Sequence, residues 1–201
     1  MDTTDQPPAV RPPEEADRAD MARLAAGHAA ALNDLMERHA TPLFHFLCRM
    51  VNNEDDANDL AQETFVRVFK SAKSFRPSEK FSAWLFTIAA NLARNHFRSR
   101  ARHPNISLET ESGEAEQTLG STLPAVGKSP NEQALAAERA EAVRAAVGKL
   151  PEDLRAAIVL CEWEERSVAE AATILESTPK AVESRLYRAR HILRERLKSW
   201  L

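Results

Sequence analysis

The chain has 201 residues, and its 27 Lys and Arg against 30 Asp and Glu give a formal net charge of −3, which excludes a uniformly basic nucleic-acid binder. Only 5 Gly and 1 Tyr occur, beside abundant Ala, Leu, Glu and Arg, so helices are predicted rather than sheets. The 2 Cys, Cys48 and Cys161, lack the spacing of a disulfide framework or a zinc finger, which indicates a reducing compartment.

The beginning of the chain carries no targeting signal. The stretch MDTTDQPPAVRPPEEAD has no apolar run behind a basic start, so neither a signal peptide nor membrane insertion is predicted. We therefore expect a cytoplasmic protein. Because residues 1–20 are proline-rich and acidic, they are predicted to form a disordered tail.

Residues 21–103 are helical in pattern throughout and are predicted to form one small domain. The residue before the third helix, Asn53, is a good N-cap, and the acids after it suit the positive end of a helix dipole. The helices are predicted at Met21–His39, from Thr41-Pro42 onward, after Asn53, and at Ser82–Arg102.

The third helix has an acidic side that includes Asp55, Asp56, Asp59 and Glu63. Phosphates would repel such a surface, so it should not face DNA. A protein partner with a basic surface is the functional interpretation. Solubilising charge is the alternative.

The fourth helix has the opposite polarity, because no acid occurs between Asn91 and His103 while four arginines do. Just before it, the loop SFRPSEKFSAW places Phe75, Phe81 and Trp84 beside cations. Aromatic rings next to positive charge suit the unstacked bases of single-stranded DNA. An ordinary core position is the alternative for Trp84.

A change of composition separates a second domain from the first. Residues 104–130, PNISLETESGEAEQTLGSTLPAVGKSP, are predicted to be a flexible linker. Helical periodicity returns in residues 131–201, where Thr178 as N-cap before Pro179 marks the start of the last helix. The helices are predicted at Glu132–Val147, Glu152–Glu162, Val168–Leu175 and Pro179–Leu197. The last two, joined by three residues, fit a helix-turn-helix.

The last helix is the best candidate for duplex DNA. From Ser177 onward seven Lys and Arg stand against two Glu, while an apolar seam through Val182, Leu186 and Ala189 is left to pack. A helix-turn-helix inserts such a helix into the major groove with its N-terminus foremost. A solvated charged face is the alternative.

Two long segments resemble one known family. The segment DANDLAQETFVRVFKSAKSFRPSEKFSAWLFTIAANLARNHFRSR is similar to the second conserved region of extracytoplasmic-function sigma factors, and LPEDLRAAIVLCEWEERSVAEAATILESTPKAVESRLYRARHILRERL resembles their fourth region. The resemblance implies an all-α protein with a region 2 bundle and a region 4 helix-turn-helix, joined by a flexible linker. It also implies three partners: core RNA polymerase, promoter DNA and an anti-sigma factor.

The resemblance assigns residues to three contacts. For the clamp helices of the largest polymerase subunit these are Asp56, Asn58, Asp59, Gln62, Glu63 and Phe65. For the minus-10 element they are Lys80, Phe81, Trp84, Asn91, Arg94, Asn95 and Arg98. For the minus-35 element they are Thr178, Lys180, Glu183, Ser184, Arg185 and Arg188.

Two other classes of function compete with a sigma factor. A stand-alone helix-turn-helix regulator would explain the second domain but would leave the acidic helix and the aromatic loop without a role. An enzyme is not predicted, because no phosphate loop, nucleophile elbow or H-E-x-x-H motif occurs. His45 and Cys48 share a helix face, but two ligands do not make a metal site, so neither a metal nor a cofactor is expected.

Overall fold

The computed structural model describes residues 13–102 and 130–200, and every regular element in these two ranges is a helix, as predicted. The predicted linker lies outside the described residues apart from Pro130, and so do the first twelve residues of the predicted tail. The helices are α1 (Pro13–Ala25), α2 (Ala31–Val51), α3 (Glu54–Ser71), α4 (Phe81–Arg102), α5 (Pro130–Gly148), α6 (Glu152–Ile158), α7 (Val168–Ile174) and α8 (Pro179–Arg196).

The first helix overlaps the tail that was predicted to be disordered up to residue 20, so that prediction is wrong from Pro13 onward. The physical reason is burial against α2. Met21 and Leu24 enter the core, and the carboxylate of Asp17 lies 2.9 Å from Arg38 Nε and 2.8 Å from His39 Nε2. Composition alone did not reveal that these acids have partners in the next helix.

The break between the first two helices falls at Gly27 and not at Thr41-Pro42, where it was predicted. Gly27 has φ +97°, and the N–H of His28 donates to the carbonyl of Arg23 at 3.0 Å, which closes a Schellman-type turn. Pro42 instead lies inside α2 and removes one helical hydrogen bond. The fully buried Leu35, Leu43 and Phe46 on both sides of it offset that loss.

The Asp17 carboxylate makes the attachment of α1 sensitive to acid. Burial works to raise the pKa of Asp17, but the hydrogen bond and charge of His39, together with those of Arg38, outweigh it and hold the pKa below its usual range. Because the pKa of Asp17 is lower in the folded chain than in the unfolded chain, the ionised carboxylate stabilises the fold. This stabilisation is complete above the unfolded-state pKa of about 3.9, and it is lost as the pH falls through the folded-state pKa. We expect Asp17→Asn to lower the free energy of unfolding by about 1–3 kcal/mol at pH 7 and to flatten its fall below pH 4.

Urea unfolding at pH 7, 5 and 3.5 measures this effect. The matched control is Asp34→Asn, because Asp34 also pairs with an arginine but its side chain is 46% exposed. We expect the control to change stability by less than about 0.5 kcal/mol. Equal effects of the two substitutions at pH 7 would contradict the role of Asp17.

Helices α3 and α4 begin near the predicted residues. The Asn53 side chain accepts the N–H of Asp56 at 2.8 Å, which confirms the N-cap of α3. The apolar faces of both helices enclose Val68, Leu85 and Phe86, and the Phe86 ring lies 5.1 Å from that of Phe46 in α2. Helices α1 to α4 therefore form one bundle.

Helices α5 to α8 form the second predicted unit. Helix α6 is shorter than predicted, because residues Val159–Trp163 continue it as a π-helical turn in which the N–H of Glu164 reaches the carbonyl of Val159. Thr178 accepts the N–H of Ala181 at 3.2 Å, which confirms the cap of α8. In the turn before it, Glu176 adopts φ +50°, a conformation that usually favours glycine.

The two units pack against each other, and one apolar cluster runs through both of them. Arg155 of α6 lies at the centre of this contact and is 8% exposed. Its guanidinium donates to the carbonyls of Met50 in α2, of Gly148 and of Leu150, and stacks 5.3 Å from the Phe97 ring of α4. Arg155 therefore joins both units.

Candidate polymerase and nucleic-acid interfaces

The exposed side of α3 carries most of the residues predicted to bind polymerase. Asn58, Asp59 and Gln62 are exposed, and Glu63 is 2.8 Å from Arg67 Nε on the same helix. Because the helix repeats every 3.6 residues, these side chains lie along adjacent rows of one surface. The surface is acidic toward the N-terminus of α3.

Two residues of the predicted set face inward. Phe65 is 4% exposed and belongs to the core, so the prediction of a direct contact by this residue is wrong in this structure. Asp56 turns toward α4, where it lies 3.1 Å from Arg100 Nη1 and 3.4 Å from His96 Nε2. Both residues position α3 rather than extend its exposed surface.

The same exposed row continues into apolar residues that the sequence analysis did not assign to this surface. Val66 is 41% exposed and Phe69 is 50% exposed. The sequence did contain a sign of this extension, because Phe69 is a large apolar side chain on the same helical row as Asp59 and Gln62. An exposed apolar patch beside charges is typical of a protein interface.

The aromatic loop before α4 folds into a cluster. The ring of Trp84 lies 5.3 Å from Phe75 and 6.3 Å from Phe81. Phe81 is 3% exposed, so the prediction that it contacts DNA directly is wrong in this conformation. Trp84 is half-buried, which leaves part of its ring at the surface.

Helix α1 holds this loop in place, which the sequence analysis did not foresee. Arg18 Nε donates to the carbonyl of Pro77 at 2.9 Å, and Glu14 Oε1 is 3.2 Å from Lys80 Nζ. Lys80 is exposed, and the hydrogen bonds that it donates to carboxylates, first to Glu170 and then to Glu14, raise its pKa.

The polar side of α4 brings together the remaining residues predicted for the minus-10 element. Asn91 and Arg94 are adjacent, with Arg94 Nη1 donating to Asn91 Oδ1 at 2.6 Å. Asn95 and Arg98 are exposed one turn further along. These side chains form a row of donors on the bundle surface that could bind phosphates or base edges.

Most of the DNA-binding residues predicted on α8, the second helix of the helix-turn-helix, are exposed. Thr178, Lys180, Glu183 and Ser184 lie at its start and are exposed. Further along, Arg185 is 3.6 Å and Arg188 is 3.8 Å from the same Asp153 carboxylate. The exposed row also contains Tyr187, a residue missed from the sequence, whose side chain is 75% exposed.

The described residues contain no group of three or more potential metal ligands. Burial, with the nearby Glu54 carboxylate, raises the pKa of the Cys48 thiol to about 11, and burial also raises the pKa of Cys161. Both thiols are therefore protonated near neutral pH and poor nucleophiles. Across residues 13–102 and 130–200, no helix is both long and apolar enough to cross a membrane.

Comparison with known families matches both helical units. The family model for sigma-70 region 2 matches residues 35–103, and the model for sigma-70 region 4 matches residues 140–193. The RNA polymerase sigma-H factor of Pseudomonas aeruginosa is 31% identical over 188 residues, which cover 94% of this chain and 97% of that protein. The ECF sigma factor SigW of Bacillus subtilis is 32% identical over 86% of this chain and 91% of its own.

Two solved structures have a similar fold. CnrH, determined in complex with the cytosolic domain of CnrY, has 29% identity and a TM-score of 0.65 over 92% of this chain and 98% of its own. The sigma factor RpoE of Bartonella quintana, in complex with the anti-sigma factor NepR, has 26% identity and a TM-score of 0.58, covering 83% and 96%.

A helix-turn-helix beside a bundle with acidic and basic faces defines a DNA-binding transcription protein with a separate protein-binding surface. The chain belongs to the extracytoplasmic-function sigma factors of the sigma-70 family, and its function is that of an RNA polymerase sigma factor. Both halves of the chain match this family, so the stand-alone regulator is not favoured.

Proposed function

We propose that the chain brings core RNA polymerase to particular promoters through three surfaces, one for polymerase and two for DNA. Residues 21–103, extended back to Pro13, would bind polymerase and the minus-10 element, and residues 131–201 would bind the minus-35 element. The observation that supports this division is charge. The exposed face of α3 is acidic, whereas α4 and α8 present cations on other faces.

The polymerase surface would comprise Asn58, Asp59, Gln62 and Glu63, extended by Val66 and Phe69. The acids would steer the chain to a basic partner and fix the docking register, while the apolar pair would supply buried area. Asp56 and Phe65 would act indirectly, by holding α3 against α4 and the core.

The minus-10 surface would comprise Lys80, Trp84, Asn91, Arg94, Asn95 and Arg98. Cations and amides would hold the phosphates and base edges of the separated strand, and the exposed part of the Trp84 ring would support an unstacked base. Binding of the separated strand would favour open DNA, which is how this surface would assist promoter opening.

In vitro transcription tests the proposal. Core polymerase, purified chain and genomic DNA from the source organism are incubated together, and the 5′ ends of the transcripts are sequenced. We expect new start sites that share sequence elements near positions minus 35 and minus 10. Start sites unchanged from core polymerase alone would contradict the proposal.

At the minus-35 surface, two exposed cations are expected to act differently. Lys180 lies in the first turn of α8, which would reach deepest into the groove, whereas Arg188 lies two turns later and should contact phosphate. We expect Lys180→Ala to change preference among minus-35 variants by about 1–3 kcal/mol at one base pair. Arg188→Ala should weaken all sites alike and lower the slope of log K against log salt by about 0.9.

Holoenzyme binding to a panel of promoter variants at several salt concentrations measures both effects. Unchanged sequence preference in the first variant, or an unchanged salt slope in the second, would contradict the assignment.

The cellular compartment and a further protein partner follow from the proposed role as a sigma factor. The protein would act in the cytoplasm, where core polymerase and the chromosome are, and would perform no catalysis of its own. RpoE of Bartonella quintana was solved with an anti-sigma factor. We propose that an anti-sigma factor also binds this chain.

A further inference from the structure

The loop that leads into the minus-10 surface has little packing of its own. Residues 76–80, called the exposed loop below, are all exposed, and within them the N–H of Glu79 donates to the carbonyl of Arg76 at 2.9 Å. The flanking residues Phe75 and Phe81 pack against the apolar core, with their ring centroids 6.1 Å apart. The core therefore fixes both ends of the exposed loop but not the residues between them.

Helix α1 contacts the exposed loop at two points. Arg18 Nε donates to the carbonyl of Pro77 at 2.9 Å, and Glu14 Oε1 is 3.2 Å from Lys80 Nζ. Arg18 and Glu14 are four residues apart, so they lie one above the other on the same side of the helix. This side of α1 therefore holds both the backbone of the exposed loop and the lysine at its end.

A groove opens between α1 and the exposed loop. Its walls are small residues of α1 on one side and residues at the start of the loop on the other: Ala19, Ala22, Ala25, Phe75 and Pro77. The groove has a volume of about 520 Å³, so apolar packing between helix and loop is incomplete there. Each exposed polar contact is weak by itself, but two of them suffice to select one conformation of a short segment whose ends are already fixed.

Helix α1 can hold the loop because buried groups fix it to the bundle. Met21 is buried, and the buried Asp17 carboxylate pairs with both Arg38 and His39 of α2. The His39 ring lies 5.1 Å from the Phe81 ring, edge to face, at the point where the loop ends. The same cluster of residues thus anchors α1 and the end of the loop.

The contacts from α1 do not depend on the second unit. Lys80 has another carboxylate partner, Glu170, at 3.1 Å, but Glu170 belongs to α7. That contact exists only while the two units touch. Glu14 and Arg18 belong to the same bundle as the loop, so their contacts persist in any arrangement of the units.

We propose that α1 is a positioning element for the minus-10 surface, in which Arg18 and Glu14 hold the exposed loop in the conformation that reads the separated strand. Neither residue would contact DNA: Arg18 acts through the loop backbone and Glu14 acts through Lys80. This inference rests on the proposed role of Lys80 and Trp84 in the minus-10 surface. A loop held in one conformation accepts fewer sequences than a mobile one, so loss of both contacts should relax selectivity at the minus-10 element.

Nitrogen-15 relaxation of the free full-length chain tests whether α1 holds the loop. The variant Glu14→Ala/Arg18→Ala removes both contacts without a change in net charge. The control Arg23→Ala/Asp34→Ala is also neutral in charge, and it removes an exposed pair, 3.1 Å apart, that joins α1 to α2 instead.

We expect the backbone order parameters of Ser78 and Glu79 to be about 0.8 in the unmodified chain and in the control, and below about 0.6 in the α1 variant. Order parameters below about 0.6 in the unmodified chain would overturn the proposal, because the loop would then be mobile despite the two contacts. Values that stay near 0.8 in the α1 variant would overturn it as well.

Transcription start sites test whether the position of the loop affects reading. Core polymerase and genomic DNA from the source organism are incubated with each chain, and the 5′ ends of the transcripts are sequenced. With Glu14→Ala/Arg18→Ala, the share of transcripts from sites that lack the minus-10 sequence of the unmodified chain should rise at least threefold. The minus-35 sequences should not change, and the affinity for core polymerase should stay within twofold.

Identical minus-10 sequences in the α1 variant and the unmodified chain would refute the positioning role. An equal rise in Arg23→Ala/Asp34→Ala, or a loss of polymerase affinity of more than threefold in the α1 variant, would refute it too, because either result indicates general damage to the bundle. If the unmodified chain itself yields no new start sites, the proposed function is wrong. The relaxation data then still decide whether α1 holds the loop.

Discussion

Replacing Asp59 and Glu63 together by arginine is expected to abolish association with core polymerase. Both carboxylates lie on the surface of α3 proposed for polymerase, and the double substitution reverses two charges there. Like charges brought together in an interface cost several kcal/mol, so we expect affinity to fall at least about 100-fold. Binding of labelled chain to core polymerase, followed by fluorescence anisotropy, measures this.

The fold should survive the double substitution. Asp59 is exposed and Glu63 is 45% exposed, and the lost pair with Arg67 is a surface pair within one helix. We expect a change in unfolding free energy of about 1 kcal/mol or less. The control Glu138→Arg/Glu141→Arg makes the same charge change on α5, where Glu141 pairs with Arg144 in the same manner. Affinity of the α3 variant within threefold of this control would refute the assignment.

Substitution of Arg155 by methionine is expected to have the largest effect on stability among the changes considered. Methionine has a similar length but donates nothing, so the carbonyls of Met50, Gly148 and Leu150 would lose a buried donor. Leaving a buried carbonyl unsatisfied costs about 1–3 kcal/mol. The contacts to Met50 and Leu150 are buried and the one to Gly148 is partly exposed, so we expect a total of about 2–6 kcal/mol. Urea unfolding followed by circular dichroism measures the change.

The two units should also separate in the unfolding curve of this variant, because Arg155 contacts both. We expect a broadened or two-step transition where the unmodified chain gives one. Arg144→Met is the control, since that side chain is 67% exposed, and it should change stability by less than about 0.5 kcal/mol. If Arg155→Met lowers the free energy of unfolding by less than about 1 kcal/mol, water satisfies these carbonyls and the contact is dispensable.

The sequence predicted the starts of helices well where the helix is capped by a hydrogen bond between residues close together in the chain. Asn53 and Thr178 act through hydrogen bonds within three residues, so their identity and position sufficed to place two helix starts. Gly27 was an equally local signal and was overlooked, while Pro42 was given too much weight. A proline breaks an isolated helix, but here the apolar residues on both sides are held by the core.

Long-range contacts could not be predicted from periodicity. The burial of Asp17 depends on Arg38 and His39, which approach only when α1 packs on α2. The packing of the two units depends on Arg155 reaching a carbonyl 105 residues earlier in the chain. Resemblance to the family supplied the surfaces, but not which of their residues, such as Phe65 and Phe81, are buried.

The left-handed conformation of Glu176 has a consequence for protein engineering. A designer seeking a sturdier helix-turn-helix would place glycine there, because a side chain in this backbone conformation costs roughly 1–2 kcal/mol. That improvement would also delete the carboxylate that accepts from Asn91. Optimising the turn for stability would therefore remove a contact between the two units, so the stability of the turn and the packing of the units would be selected in opposite directions at one position.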